Sequence, residues 1–294
     1  MFPTAFRTDH IFRIGATHSV CEDYAQSGGI DDAATAIVSD GCSSSPHTDI
    51  GARLLTMNFL PWAAAGVQVR NKQLMQQILT KCLYALTLPL EALDATVLIA
   101  QATTKTITVT AWGDGFIVLR KRNGTFETHK ITFRTKDGKP SPYPVYLAYF
   151  MDCPITGWET KLIERLEHVM VQSPIREIVK VSSDGSAEVM QERVAGNRAY
   201  TIEAPTEEYD MVMVLSDGLD SFYRTETMGT WKQTLEVDPF HVINDLMTFK
   251  SMKGDFLQRR VQKLLKGYER ENIRHADDFS VAAIHIEYED LPCE

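Results

Sequence analysis

The chain has 294 residues, of which 44% are hydrophobic and 23% are charged, and its formal net charge is −9. This length suffices for one large domain or two ordinary ones. The negative charge argues against nucleic acid or an anionic membrane as the main partner, because both bind basic surfaces. No apolar stretch approaches the roughly 20 residues that span a bilayer, and charges interrupt the N-terminal segment. We therefore expect a cytoplasmic protein whose five cysteines are reduced.

The first half of the chain predicts one strand, then helices, then a series of strands. A short apolar run over residues 33–41 predicts a buried strand that ends at a Ser-Asp-Gly turn. Helical spacing follows in residues 48–61, where we expect Pro61 to end or kink the helix, and in residues 71–86. Residues 94–133 are rich in β-branched side chains and predict consecutive antiparallel strands, with a hairpin turn at Asn123-Gly124.

The second half repeats this order of strand, turn and helix. Residues 209–218 form another apolar run into Ser-Asp-Gly, residues 239–274 have a helical pattern, and residues 279–288 predict a last strand. The stretch WETKLIERLEHVMV, within residues 135–205, fits either a helix or a strand. Runs of strands between blocks of helices favour an α+β fold with antiparallel sheets over alternating βαβ units. We predict a single domain over residues 1–294.

Acidic residues recur at positions where they could converge. Asp40 and Asp217 end apolar strands and Asp277 begins one, and in an antiparallel pair the end of one strand lies beside the start of its partner. The glycine after each strand-ending Asp allows a sharp turn and exposes a carbonyl oxygen. The acids predicted to lie near one edge of the sheets are Glu22, Asp23, Asp40, Asp114, Asp217, Asp277 and Asp278.

Clustered carboxylates repel one another and stay ionised together only if cations neutralise them. Ligands that are all oxygen suit Mg²⁺ or Mn²⁺. Two such ions can activate water for in-line displacement at phosphorus, which is a slow reaction without a catalyst. The alternative for each Asp-Gly pair is an ordinary turn without chemistry.

Five motifs in this order resemble the protein phosphatase 2C family, the metal-dependent serine/threonine phosphatases. They are CEDYA, VSDG, WGDG, LSDGLDSF and ADDFSVAAI, between residues 21 and 284. The segments GATHSVCEDYA and SDGCSSSPHTDIGARL are similar to a bacterial subgroup of that family. The resemblance implies a four-layer α/β/β/α sandwich, with two antiparallel sheets flanked by helices, and a variable insert or flap around residues 135–205.

The resemblance also implies roles for individual residues. Asp40, Asp217 and Asp277 would be the central catalytic acids, with Asp40 bridging two Mn²⁺ or Mg²⁺ ions. Asp114, together with Asp217, would support a weaker third ion. Water activated by the two ions would attack phosphorus without a covalent enzyme intermediate. The implied metal-binding set is Glu22, Asp23, Asp40, Asp114, Asp217, Asp277 and the carbonyl of Gly41.

The chain departs from the family pattern at three positions. His18 stands where many members have an arginine that grips the substrate phosphate, and imidazole is the weaker anion clamp. Cys42 replaces a histidine that serves as a possible proton donor, which leaves that step to water or to a group such as His47. Gly-Asp-Gly replaces Gly-Asp-Ser around Asp114. His275 fits either a residue that orients Asp277 or an ordinary surface histidine.

These observations predict a phosphatase that acts on phosphoserine or phosphothreonine, with a phosphoprotein as substrate and a cognate protein kinase as a further partner. One alternative is a fold relative without turnover that binds a phosphoprotein or a kinase as a regulator. Another is a two-metal phosphoesterase that acts on a nucleotide or another small phosphate.

Overall fold

The computed structural model describes residues 3–30, 32–64, 72–135, 137–141, 144–150, 175–193, 199–228 and 231–289. Its strands, in chain order, are β1 (Pro3–Arg13), β2 (Tyr24–Ile30), β3 (Ala33–Ser39), β4 (Val97–Thr103), β5 (Thr106–Trp112), β6 (Gly115–Lys121), β7 (Phe126–Arg134), β8 (Ile175–Ser182), β9 (Ala187–Arg193), β10 (Tyr200–Pro205), β11 (Tyr209–Leu215), β12 (Phe222–Met228), β13 (Trp231–Glu236), β14 (Ile273–His275) and β15 (Phe279–Tyr288). The helices are α1 (Thr48–Ala64), α2 (Lys72–Ala85), α3 (Pro239–Leu246) and α4 (Phe256–Arg270).

Two large antiparallel sheets form the centre of the molecule. One has seven strands in the order β1-β15-β11-β6-β7-β8-β9, and the other has five in the order β10-β5-β4-β3-β2. A small third sheet, β13-β12-β14, lies beside the helices of the second half. Every strand pair within these sheets is antiparallel.

Alternating side chains along the strands divide the apolar interior into three layers. Val212 and Val214 of β11 pack between the two large sheets, whereas Met213 and Leu215 of the same strand pack against α3 and α4. The same alternation occurs in the five-stranded sheet, where Ile37 faces α1 and α2. This order of layers, helices, sheet, sheet and helices, confirms the predicted α+β sandwich.

Two details of the helices differ from the predictions. The first helix does not end at Pro61 but continues to Ala64, because a proline near a helix end removes a single backbone hydrogen bond that the last turn can lose. A kink at Pro61 stays a prediction. The helical pattern of residues 239–274 divides into α3 and α4 with a loop between them, and it ends in the short strand β14. In the described part of the chain, no helix is long and apolar enough to cross a membrane.

The segment predicted to be variable is described only in part. β8 and β9 extend one end of the seven-stranded sheet, and β10 is an edge strand of the five-stranded sheet. The stretch WETKLIERLEHVMV lies outside the described residues, so its assignment stays open. The single-domain assignment and the role of this segment as a flap also stay predictions. Cys21, Cys42 and Cys82 are free thiols, in accordance with the expectation of reduced cysteines.

Candidate functional site

The strand pairing brings most of the predicted acids to one edge of the two large sheets. The end of β11 pairs with the starts of β6 and β15. Asp217 follows β11, Asp114 precedes β6 and Asp277 precedes β15. In the five-stranded sheet, Asp40 follows β3, and its backbone exchanges hydrogen bonds with Thr96 before β4. Each sheet therefore supplies one of the two Ser-Asp-Gly turns to the same edge.

The serines of these two turns fix the backbone beside the acids. Ser39 Oγ donates to the carbonyl oxygen of Thr96 at 2.6 Å, which connects the end of β3 to the start of β4. Ser216 Oγ donates to Asp23 Oδ2 at 2.6 Å and accepts from the Ser280 N–H at 2.9 Å. Both serines are buried. The repeated serine is therefore a structural part of each turn.

The glycines of the turns permit close approach of neighbouring backbone. A β-carbon at Gly218 would overlap the carbonyl oxygen of Asp278, and one at Gly41 would crowd Thr48. Gly41 N–H also donates to the carbonyl oxygen of Glu22 at 3.2 Å. Any larger residue at either position would push these segments apart.

The carboxyl groups of Asp23 and Asp40 are in hydrogen-bond contact. Burial raises the pKa of Asp23 to about 7, although hydrogen bonds with Asp40 and Ser216 act in the opposite direction. Burial also raises the pKa of Asp40 well above its usual range, and the charges of Asp23 and Asp217 raise it further. Two carboxyls in hydrogen-bond contact need a shared proton or a cation between them. Positive charge at this edge is therefore electrostatically favourable.

Asp217 is the electrostatic centre of the acids. Burial raises the pKa of five surrounding carboxyls, and the negative charge of Asp217 raises each of them further. We refer to Asp217 and these five residues as the acid cluster. The five are Asp23, Asp40, Asp114, Asp220 and Asp277.

Asp278 has a different role from its neighbour Asp277. It is 2% exposed, and it accepts hydrogen bonds at 2.6 Å from the N–H groups of Gly15 and Glu22. These contacts hold the loop between β1 and β2 against the start of β15. Asp277 is half-buried: burial raises its pKa, the charge of Asp217 raises it further, and His18 lowers it. Asp278 thus organises the loop, whereas Asp277 belongs to the acid cluster.

His18 lies between carboxylates. Its Nε2 is 3.2 Å from Asp277 Oδ1, and its Nδ1 is 3.2 Å from Asp278 Oδ2 and 3.9 Å from Glu22 Oε2. Burial lowers the pKa of His18, but the charges of Asp278 and Asp277 outweigh burial and raise it above its ordinary value. His18 is therefore a cation at the rim of the acid cluster when it is protonated.

Two further residues at this edge, Lys130 and Tyr146, could not be predicted from the sequence. Lys130 Nζ of β7 is 2.6 Å from Asp220 Oδ1. Burial and Asp217 raise the pKa of Asp114 well above its usual range, and the Lys130 ammonium offsets part of this effect.

Tyr146 belongs to the core between the sheets, and its hydroxyl reaches Cys42. Burial raises the pKa of Tyr146 well above its ordinary value, so the phenol keeps its proton at neutral pH.

The remaining predicted residues lie close to the edge but outside the acid cluster. Glu22 Oε1 accepts from Thr48 Oγ1 at 3.4 Å. His275 Nδ1 lies 2.9 Å from the carbonyl oxygen of Asp277, so it contacts the backbone of that residue rather than its carboxylate. His47 is exposed and has a positive φ of 62° before α1.

The donor chemistry of the acid cluster fits Mn²⁺ or Mg²⁺, because its available ligands are oxygens. One oxygen is orphaned: Asp23 Oδ1 is buried and receives no hydrogen bond from a described donor. Among the described residues, no three His, Cys, Asp or Glu side chains are arranged so that they could hold an ion as they stand.

The first part of the chain is similar to a known protein family. The family model for protein phosphatase 2C matches residues 15–137, a segment that includes Glu22, Asp23, Asp40 and Asp114. No curated protein sequence matches the chain.

Solved structures of bacterial phosphatases have the same fold over almost the whole chain. The serine/threonine phosphatase Stp1 from Staphylococcus aureus is 13% identical with a TM-score of 0.52, and the match covers 97% of each chain. A bacterial serine phosphatase is 12% identical with a TM-score of 0.51, covering 98% of this chain and 100% of the other. The serine/threonine phosphatase from S. agalactiae is 11% identical with a TM-score of 0.50, covering 96% and 100%. At these identities the likeness concerns the fold.

Proposed function

We propose that this chain, a member of the protein phosphatase 2C family, is a metal-dependent phosphatase that removes phosphate from phosphoserine or phosphothreonine in proteins. The observation that carries the proposal is the acid cluster, in which the charge of Asp217 acts on five neighbouring carboxyls. A fold gains no stability from mutually repelling buried acids, so their concentration at one edge favours a role in holding cations. Family membership favours phosphate ester hydrolysis as that role.

We assign the central acids to Asp40, Asp217 and Asp277, with the carbonyl of Gly41 and the side chains of Glu22, Asp23 and Asp114 completing the set. Two Mn²⁺ or Mg²⁺ ions, with a weaker third, would neutralise these acids and lower the pKa of a water that attacks phosphorus. The protein's contribution is to hold the carboxylates on rigid strand ends. Ser216 supports this by fixing Asp23, and Thr96 supports it by fixing the backbone of Asp40.

His18 remains our candidate for contact with the substrate phosphate. Its raised pKa favours imidazolium, which attracts an anion, although imidazole lacks the forked donors of arginine. Both ring nitrogens already lie 3.2 Å from carboxylate oxygens. In this proposal His18 has a second role, which is to hold Asp277 at the edge of the cluster.

The regulatory alternative has specific observations in its favour. His18 and Cys42 replace groups that many family members use for substrate binding and proton transfer, and the described acids do not enclose an ion as they stand. A regulator of this kind would bind a phosphoprotein or a kinase without hydrolysis. The retained acids Asp40, Asp217 and Asp277 favour the enzyme.

The first experiment is hydrolysis of para-nitrophenyl phosphate and of a phosphothreonine peptide, with Mn²⁺, with Mg²⁺ and with chelator. Wild type is compared with Asp217→Asn, which removes the central charge of the cluster. Asp184→Asn is the matched control, because Asp184 lies in the exposed turn between β8 and β9 and undergoes the same chemical change.

Turnover that needs a divalent ion, survives Asp184→Asn and disappears in Asp217→Asn is the expected result. Turnover that is unaffected by chelator would contradict metal dependence. Folded wild type without turnover under any condition would favour the regulatory alternative. A nucleotide panel tested alongside the phosphopeptide separates a protein phosphatase from an enzyme that acts on small phosphates.

A further inference from the structure

A second candidate binding site lies at the other end of the seven-stranded sheet. It is a cavity of about 190 Å³ between the loop that joins α3 to α4 and the first turns of α4. The ring of Phe249 at this cavity lies 6.0 Å from the Arg120 guanidinium, which is near the start of β11. Asp217 follows the end of β11, roughly 20 Å further along the strand. The cavity is therefore separate from the acid cluster.

The lining of this cavity is basic in a protein that is acidic as a whole. Four cationic side chains surround it, together with the hydroxyls of two residues, and its lining contains no acidic side chain. We call it the basic pocket. The cations are Lys250, Arg259, Arg260 and Lys263, and the hydroxyls belong to Thr248 and Ser251.

The four cations of the basic pocket lack carboxylate partners. Within the described part of the chain, none of the four forms a salt bridge. Asp245 acts electrostatically on Arg260 from outside the lining, but its carboxylate accepts a hydrogen bond from Tyr268. Four unpaired cations around one cavity repel one another, and a bound anion would remove that repulsion.

Both guanidinium groups are held in place by backbone carbonyls. Arg260 Nε donates to the Leu246 carbonyl oxygen at 3.1 Å, and Arg259 Nη2 donates to that of Lys253. Each arginine thus uses one N–H group to fix its position and keeps others available. Burial lowers the pKa of Arg260, so its surroundings are partly dry and its attraction for an anion is less screened. Cations ordered before binding lose less entropy when an anion arrives.

We infer that the basic pocket binds a single phosphate group, either as inorganic phosphate or on a phosphorylated serine or threonine. Its volume is below the roughly 300–1,000 Å³ of sites for drug-sized molecules and suits one tetrahedral oxyanion. Paired guanidinium groups and hydroxyls provide the several donors that a doubly charged phosphate accepts. This inference is independent of the reaction proposed for the acid cluster.

The test is calorimetric titration of the full chain, in chelator, with inorganic phosphate, with a phosphoserine peptide and with the same peptide unphosphorylated. Chelator leaves the acid cluster negative, so it repels the anion and does not compete for it. The pocket variant is Arg259→Gln combined with Lys263→Gln, both at exposed positions. The control is Lys266→Gln, one helical turn further along α4 and outside the lining.

Saturable phosphate binding that is unchanged in Lys266→Gln and at least about tenfold weaker in the pocket variant would support the inference. Tighter binding of the phosphopeptide than of phosphate would identify a phosphoprotein as the source, and equal or weaker binding would identify free phosphate. Absence of saturable binding to wild type, equal affinity in all three proteins, or equal binding of the unphosphorylated peptide would overturn it. If the double variant does not fold, the single variants Arg259→Gln and Lys263→Gln give the same comparison.

Discussion

Ser216 connects two parts of the chain that are far apart in sequence. Its hydroxyl donates to Asp23, 193 residues away, and accepts from the Ser280 N–H. Ser216→Ala would remove one hydrogen-bond partner of the buried Asp23 carboxyl and the side-chain acceptor of the buried Ser280 N–H. We therefore expect a loss of about 1–3 kcal/mol in the free energy of unfolding. Urea denaturation measures this. The control is Ser186→Ala, at an exposed turn residue, for which we expect a change within about 0.5 kcal/mol.

Equal losses in the two serine variants would contradict this role for Ser216. The Ser-Asp-Gly pattern predicts a functional role for the aspartates, because carboxylates can bind metal ions. The function of the serine could not be predicted, because it depends on where Asp23 lies after folding. The same limit applies to Lys130, whose partner Asp220 is 90 residues away. Acids at strand ends can be recognised from the neighbouring sequence. The residues that hydrogen-bond or pair with those acids cannot, because tertiary contacts bring them together.

We expect Lys130 to compete with cations for the acid cluster. Its ammonium lies 2.6 Å from Asp220 and lowers the pKa of Asp114 against the effect of burial. Lys130→Gln removes a positive charge next to the cluster, so we expect Mn²⁺ to bind about two- to tenfold more tightly. Calorimetric titration with Mn²⁺ measures the change. Lys180→Gln is the control, because Lys180 lies on the adjacent strand and pairs with Glu127.

A weaker affinity for Mn²⁺ in Lys130→Gln would mean that Lys130 positions the acids rather than competing with ions. An increase in both lysine variants would indicate an effect of net charge alone.

At the scale of elements, the start of α4 is capped by a residue from another element. Asp9 of β1 is 6% exposed, and its Oδ2 accepts from the N–H groups of Leu257 and Gln258 at 2.7 and 3.0 Å. Asp255, which precedes the helix, makes no such side-chain bond. We expect Asp9→Ala to lower the free energy of unfolding by about 2–4 kcal/mol, because it uncaps the helix and leaves buried donors unpaired. Chemical denaturation tests this.

Asp255→Ala is the matched control, for which we expect a change within about 0.5 kcal/mol. A larger loss in Asp255→Ala than in Asp9→Ala would contradict the assignment of the cap. The cap could not be predicted from the sequence, because Asp9 is 248 residues from Leu257 and leaves no local signal beside the helix.

Strands with strongly apolar sequences could be predicted, and mixed strands could not. β3, β11 and β15 are buried through most of their length, so their composition identifies them. β1 has charged residues and few buried positions, because it is an edge strand of its sheet, and its pairing with β15 leaves no local pattern. The small sheet β13-β12-β14 could not be predicted for a related reason, since its order depends on contacts between distant segments.

At the scale of the whole molecule, the acid cluster makes stability depend on pH. Burial raises the pKa of Asp23 to about 7 from an ordinary value of 3.8. Between about pH 4 and pH 7, Asp23 loses its proton in the unfolded chain but keeps it in the folded chain. The free energy of unfolding therefore falls as the pH rises through this range. In chelator, we expect Asp23→Asn to lose less stability than wild type over this range, by roughly 2–4 kcal/mol.

Thermal and urea unfolding across this pH range measure the difference, with Asp184→Asn as the control that removes an exposed carboxylate. Addition of Mn²⁺ should restore stability to wild type and have a smaller effect on Asp23→Asn. Parallel pH profiles for wild type and Asp23→Asn in chelator would contradict the electrostatic account of the cluster.

The pairing of β1 with β15 has a consequence for protein synthesis. The loop after β1 is held by Asp278, which precedes β15, and β15 is the partner of both β1 and β11. On the ribosome, the first strand is made long before the strand that fixes it in the sheet. A nascent chain therefore cannot assemble the acid cluster until residues 277–288 have left the exit tunnel. Premature termination before that point yields a product without this site, however much of the rest has folded.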